Sequence, residues 1–536
     1  MIFQKKVVMA LFFLFFLMAL SITPTDAAGG SCERQTFTSL SLPDTEITLV
    51  EALSAGSYPS PVGALPVDIC RVAATLRPTA DSEIKIEVWM PTSNWNGKFH
   101  GVGNGGWSGA VNYDNGMIDP VKRGYATAST DTGHTGDVGD ASWAFYHPEK
   151  VIDFAHRAVH EMTVKGKAIV KAFYGTVPRF SYWSGCSTGG KQAFHEAQQY
   201  PEDYNGLISS APSNFWTHLE VAQVWRSRAV LRDPASYIPA SKLPLIYNAM
   251  LTACDRLDGI ADGILDDPRR CSFDPGTLLC QGADAPTCLT AGQVEAVKKI
   301  YAGPRNARTG ELIFPGFLYG TELGWRPFIA GPGMGSRIAD SFYKYIVFQD
   351  VNWDFRTFDF DKDVAFADKL APIMNSTNPD LSQFKAHGGR MILLHGWSDP
   401  NIPAQNSINY YESVVANIEH QHDKDLKAGA GAIRGGVDDF FRLFMIPGMW
   451  HCSGGPGPNT FDALSALEKW VENGVRPDKI IATKYVNDDA TKGVVMTRPL
   501  CPFPKEAVYI GRGSTNDAAN FVCGSTPLNQ GALQVK

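Results

Sequence analysis

Three residues in this chain have the types and the flanking sequences needed to make and break an acyl bond. Gly185-Cys186-Ser187-Thr188-Gly189 matches the pattern G-x-S-x-G. The apolar stretch Phe180–Trp183 before it reads as a strand, and Lys191–Tyr200 after it reads as a helix. A serine on such a strand–turn–helix stands on a nucleophile elbow, with its hydroxyl projecting above a sheet. A hydroxyl needs a base to become a nucleophile, and the base needs an acid to orient it. Asp399 follows the bare apolar run Met391–Leu394, and His451 follows Phe440–Ile446, which gives the chain order Ser, Asp, His. His395 also lies near a strand end but precedes the acid, and Asp438 and Asp439 precede the last strand and so belong to its opposite end. The expected chemistry is acyl transfer, with Ser187 as nucleophile, His451 as general base and Asp399 as the orienting acid.

The developing oxyanion needs backbone N–H donors. Thr188, next after the nucleophile, supplies one. The second is expected from the loop Gly103-Asn104-Gly105-Gly106, with Gly105 preferred and Gly106 next. The cysteines bear on the same assignment, because Cys186 directly precedes Ser187 and Cys452 directly follows His451. A disulfide between them needs Cα atoms within about 7 Å, which a serine hydrogen-bonded to a histidine would allow.

A second chemistry-bearing segment is Cys254-Asp255-Arg256-Leu257-Asp258-Gly259-Ile260-Ala261-Asp262-Gly263-Ile264. Its D-x-x-D-G-x-x-D-G spacing is not that of an EF-hand, yet Asp255, Asp258 and Asp262 are hard oxygen donors of the kind Ca²⁺ takes. From the residues alone, a calcium loop and a solvated acidic turn are both open.

The positioning elements follow from periodicity. Ile84–Val88, Lys98–Val102 and Tyr125–Ser129 read as strands, and Pro148–Phe173 carries apolar residues at helical spacing. Strands alternating with helices indicate an α/β fold, here an α/β-hydrolase core with a mainly parallel sheet. Residues 214–385 break the alternation, hold four cysteines and are rich in Pro and Gly, so they are expected to form a large inserted lid domain carrying the acidic loop. The catalytic domain then comprises 29–213 and 386–536. The first 28 residues read as a secretory signal peptide: Lys5 and Lys6, an apolar run from Val7 to Ile22, then small residues allowing cleavage after Ala27 or Ala28. The chain is therefore expected to be secreted, extracellular or periplasmic, with no membrane attachment after cleavage. Its 536 residues, 44% hydrophobic and 19% charged, suit a large globular core, and a net charge of −7 with no basic run excludes a nucleic-acid footprint.

Taken together, Cys186-Ser187, Asp399 and His451-Cys452, with Gly189-Gly190-Lys191-Gln192, Tyr200–Gly206 and Asp131-Thr132-Gly133-His134, resemble the tannase and feruloyl esterase family over essentially the whole mature chain. The resemblance implies a carboxylic ester hydrolase acting on small aromatic esters, free or attached to plant polysaccharide or polyphenol. Feruloyl or other hydroxycinnamoyl esters come first, gallate esters or terephthalate-type half-esters next. It implies a structural Ca²⁺ held by Asp255, Asp258, Asp262 and the carbonyls of Ile260 and Ile264, and no organic cofactor. It also implies the pairs Cys32–Cys70, Cys186–Cys452, Cys254–Cys271, Cys280–Cys288 and Cys501–Cys523. Trp325, Arg326 and Phe328 from the insertion, and Trp397 and Ile402 from the core, are open between substrate contact and packing. A serine peptidase shares the fold and triad but would need a peptide-binding propeller, and no blade-like repeat occurs. A calcium-stabilised binding protein would show a broken triad, and none of its residues is missing.

Overall fold

The computed structural model describes residues 30–38, 40–57, 64–231, 233–326, 336–427 and 436–525. The expected signal peptide and Phe328 lie outside them. Nine strands form one sheet: β1 (Thr45–Leu53), β2 (Ile69–Leu76), β3 (Ile84–Pro91), β4 (Lys98–Val102), β5 (Ala126–Thr130), β6 (Phe180–Cys186), β7 (Gly206–Ser210), β8 (Arg390–Gly396) and β9 (Phe441–Ile446). Their spatial order is β1-β2-β3-β5-β4-β6-β7-β8-β9. The pairs from β1 to β5 are antiparallel, and every pair from β5 through β9 is parallel. This is the expected mainly parallel sheet. Every residue of β9 is buried, and so is every residue of β8 after Arg390, so apolar side chains face a covering layer on both sides.

Helices α1 (Ala158–Tyr174) and α2 (Thr188–Gln199) belong to the core. The chain leaves the sheet after Ser210 and returns at Arg390, and between those points it adds no strand to the sheet. The insertion is helical, built on α3 (Trp216–Leu231), α4 (Leu243–Cys254) and α5 (Ala291–Ala302). It has an apolar core of its own, in which Ile246, Met250, Val297, Phe317 and Trp325 meet. Its last turn belongs elsewhere: Leu381 and Phe384 pack into the core of the sheet. Helices α6 (Gln405–Lys427) and α7 (Ala463–Asn473) complete the layers. Five disulfides join Cys32–Cys70, Cys186–Cys452, Cys254–Cys271, Cys280–Cys288 and Cys501–Cys523, the pairing that the resemblance implied.

Candidate active site

Ser187 sits between β6 and α2 with φ +63° and ψ −119°, a conformation that non-glycine residues rarely adopt. The backbone around it holds that strain: its N–H donates to Ser210 O at 2.9 Å, and its carbonyl accepts from Lys191 and Ser213 N–H at 3.0 and 3.2 Å. Although Ser187 is the N-cap of α2, its side chain makes no capping bond, which leaves the hydroxyl for chemistry. Glycine is required beside it. A Cβ on Gly103 would lie 2.5 Å from Gly189 Cα, so the loop 103–106 could not approach the helix start.

Asp399 lies in the loop after β8 and His451 in the loop after β9, so parallel neighbours bring acid and base together at one end of the sheet. His451 Nδ1 donates to Asp399 Oδ2 at 2.7 Å, which leaves Nε2 as the basic nitrogen. Asp399 is 1% exposed, and both its oxygens are used: Oδ1 accepts from Asn401 and Ile402 N–H at 2.8 and 2.9 Å, and Oδ2 accepts from His451 and lies 3.2 Å from His395 Nε2. Burial alone would push this carboxyl up, but the two imidazoles outweigh it and hold the group well below the usual carboxylate range. Cys186 and Cys452 are bonded with Cα atoms 5.9 Å apart, which joins the segment before Ser187 to the one after His451.

The contacts that hold the glycine loop 103–106 in place have no local signal in the sequence. Asn104 is 5% exposed and ties the loop down: its N–H donates to Gln192 Oε1 at 3.1 Å, its carbonyl accepts from Gly189 N–H at 2.8 Å, and its amide donates to Thr130 O at 2.8 Å. Thr188 Oγ1 donates to Gly106 O at 2.9 Å, so the two expected donor segments are locked together. Gly106 has φ +54°, and a Cβ there would meet Val138 O at 2.4 Å; Gly105 meets nothing. His134 Nε2 donates to Trp107 O at 2.7 Å, and burial lowers its pKa to about 4. Arg226 on α3 reaches out of the insertion and donates to Asn401 O at 3.1 Å.

The remaining candidates divide. Ile402 packs with Leu219, Ala222 and Phe314 where the insertion meets the core. Trp397 is 4% exposed and lies under the Arg269 guanidinium. Trp325 is packing rather than a contact surface, being fully buried in the core of the insertion with its indole N–H on Thr321. Arg326 is exposed. In the acidic loop, the carboxylates of Asp255, Asp258 and Asp262 accept from the amides of Gly263, Ile260 and Ile264 at 2.8, 2.9 and 3.2 Å, and Asp262 also pairs with Arg498 at 2.7 Å. Among the described residues no group of three or more His, Cys, Asp or Glu side chains is arranged to hold a metal ion. The donor types still suit a hard cation. Burial first, then the charges of Asp262 and Asp255, push Asp258 up to about 6.

A parallel α/β sheet with a strained serine at a strand–helix turn, an Asp–His pair at the ends of the neighbouring strands and a glycine loop against the helix start defines the chain as an ester hydrolase of the α/β-hydrolase class. The family model for tannase and feruloyl esterase matches residues 70–524. The chain is 41% identical to an uncharacterized esterase of Xanthomonas campestris pv. campestris over 95% of its own length and 93% of the relative's. It is 34% identical to a probable feruloyl esterase B-2 of Aspergillus flavus, over 87% of this chain and 88% of that one. Feruloyl esterase B from Aspergillus oryzae superposes with a TM-score of 0.82 at 30% identity, covering 92% of this chain and 99% of that one. The chain belongs to the tannase and feruloyl esterase family and is a carboxylic ester hydrolase.

Proposed function

We propose that the protein hydrolyses feruloyl and related hydroxycinnamoyl esters through an acyl-enzyme on Ser187. The observation that carries the mechanism is the 2.7 Å Asp399–His451 hydrogen bond, tied to the serine turn by Cys186–Cys452. Ser187 Oγ attacks the ester carbonyl carbon while His451 Nε2 takes its proton. The N–H groups of Thr188 and Gly105 receive the oxyanion, helped by the positive end of α2. His451 returns the proton to the leaving alcohol. Water, deprotonated by His451, then attacks the acyl carbon, and the acid leaves as Ser187 regains its proton.

The substrate reading is supported by the likeness to feruloyl esterase B of Aspergillus oryzae, whose whole length the chain matches. Gallate esters are the second reading. The tannin acyl hydrolase of Aspergillus niger shares the fold at a TM-score of 0.68 and 22% identity, and so speaks for architecture alone. The insertion serves as a lid over the site, since Arg226 and Leu219 reach the Asp399 loop from it. Asp255, Asp258 and Asp262, with the carbonyls of Ile260 and Ile264, hold a structural Ca²⁺ that supplies positive charge and no chemistry at Ser187. Five disulfides and the leader fit export to an oxidising compartment. Hydrolysis of methyl ferulate and methyl gallate by the native protein and by Ser187→Ala tests the reading. Faster turnover of the ferulate, lost in the variant, is the expected result. Equal or faster turnover of the gallate shifts the assignment to the second reading, and turnover by Ser187→Ala removes the acyl-enzyme.

A further inference from the structure

His395 lies at the end of β8 with its side chain fully buried. Its ring is held on three sides. Nε2 is 3.0 Å from Ile402 O and 3.2 Å from Asp399 Oδ2, and Nδ1 is 2.7 Å from Ser407 Oγ. A carbonyl oxygen only accepts, so Nε2 carries the hydrogen and donates it to Ile402 O, with the carboxylate oxygen 3.2 Å from the same nitrogen. In the neutral ring, Nδ1 is then the acceptor, and the Ser407 hydroxyl donates to it. The tautomer is thereby set two bonds away from the catalytic acid.

We infer that His395 is a positioning residue for the hydrolytic reaction: as the second imidazole against Asp399 Oδ2, it fixes the carboxylate in the orientation that His451 requires. Asp399 has one oxygen, Oδ1, committed to the amides of Asn401 and Ile402. The other oxygen is shared by two imidazoles. Without His395 the Oδ2 side of the carboxylate would be held by His451 alone, the carboxylate could tilt on its Oδ1 anchor, and the general base would lose its aim. Arg226 also lies within electrostatic range of Asp399, so it stays unchanged in every variant below. This inference rests on the triad reading above.

The test uses two amides of the same chemistry and different reach. In His395→Asn the amide takes the place of Nδ1, which keeps the Ser407 bond and abandons Asp399. In His395→Gln it takes the place of Nε2 and keeps a donor beside Ile402 O and Asp399. With p-nitrophenyl acetate, Asn should lower kcat by about tenfold to a hundredfold, the cost of a small misplacement in an active site, at near-constant KM. Asn should also move the acid limb of kcat/KM to higher pH, because a carboxylate that has lost a donor holds the imidazolium more tightly. Gln should stay close to the native protein in both. Equal effects of Asn and Gln overturn the assignment. If neither variant folds, Ser407→Ala, which only frees the tautomer, should move the same limb in the same direction, and an unmoved limb overturns the assignment. Ser187→Ala in the same assay separates the two readings. If it is inactive while Asn and Gln coincide, only the role of His395 falls; if it is active, the triad falls too.

Discussion

Cys186 and Cys452 are bonded across a sequence separation of 266, and each is the immediate chain neighbour of a residue proposed to exchange a proton. Ser187 inherits its position from β6 and His451 from the loop after β9, with β7 and β8 between the two strands. Hydrogen bonds alone would have to hold two loops in register across that distance. Cys452 itself has φ +65°, so the loop accepts local strain where the bridge attaches. The bridge therefore acts on geometry as well as on stability. Replacing both cysteines by alanine should lower stability by about 2–5 kcal/mol, the usual cost of losing a native disulfide. It should also lower kcat by about a hundredfold, as a displaced general base does. Thermal melting together with kcat well below the melting temperature separates the two effects, and an unchanged kcat would show that the bridge serves stability alone.

Asn104 carries a second prediction. Its side chain spans from Thr130 O to the Gln192 amide, so it holds the oxyanion loop against both β5 and α2. Asn104→Ala removes those bonds and leaves buried partners unsatisfied, while Gly105 and Thr188 keep their own N–H groups. The expected loss is about a hundredfold in kcat, near the lower end for removing an oxyanion donor outright, with KM little changed. A rise in KM with kcat intact would mean that the loop binds substrate instead of stabilising charge.

What the sequence discloses about this site depends on how local each signal is. Ser187, Asp399 and His451 are readable because each follows a short apolar run and carries a diagnostic neighbour. The Asn104–Gln192 contact joins positions 88 residues apart and leaves no local pattern. The start of α2 is hidden for a different reason. Gly189 and Gly190 are poor helix formers, so the helix reads as beginning at Lys191, whereas close packing against Gly103 and Pro212 sets it at Thr188. Helix α3 is buried around nearly its whole circumference, from Trp216 through Glu220 and Gln223 to Val230. With no solvent stripe it has no amphipathic period, and the insertion reads as irregular where it is helical. Arg226, the contact from the insertion to the Asp399 loop, is invisible for that reason.

The acidic loop gives a prediction that does not depend on catalysis. If Asp255, Asp258 and Asp262 hold a cation, binding to the folded state alone stabilises it by about 2.7 kcal/mol at a hundredfold excess over Kd. Chelation should lower the melting temperature by a few degrees, and Ca²⁺ should restore it. Mg²⁺ should not, since it demands a small octahedral site. Asp258→Asn should melt lower and ignore both chelator and Ca²⁺. A native melting temperature indifferent to chelation would assign the loop to Arg498 and the hydrogen bonds seen in the structure.

Glu220 gives the last prediction, a stability that falls as pH rises. It is fully buried on α3, and its Oε2 is without a hydrogen-bond partner among the described residues. Burial pushes its pKa up to about 8, against a smaller opposing pull from Arg226. In the unfolded chain the group titrates near 4.3. Between those values the folded state holds a proton that the unfolded state has lost, so folding takes up protons and stability declines with increasing pH. The penalty is absent below the unfolded pKa and complete above the folded one. Glu220→Gln keeps the shape and cannot ionise, so its melting temperature should match the native protein near pH 4 and exceed it by a growing margin up to about pH 8. Parallel melting curves across that range, with a constant gap or none, would show that Glu220 ionises in the folded protein at its ordinary pKa and that Arg226 fully compensates its burial.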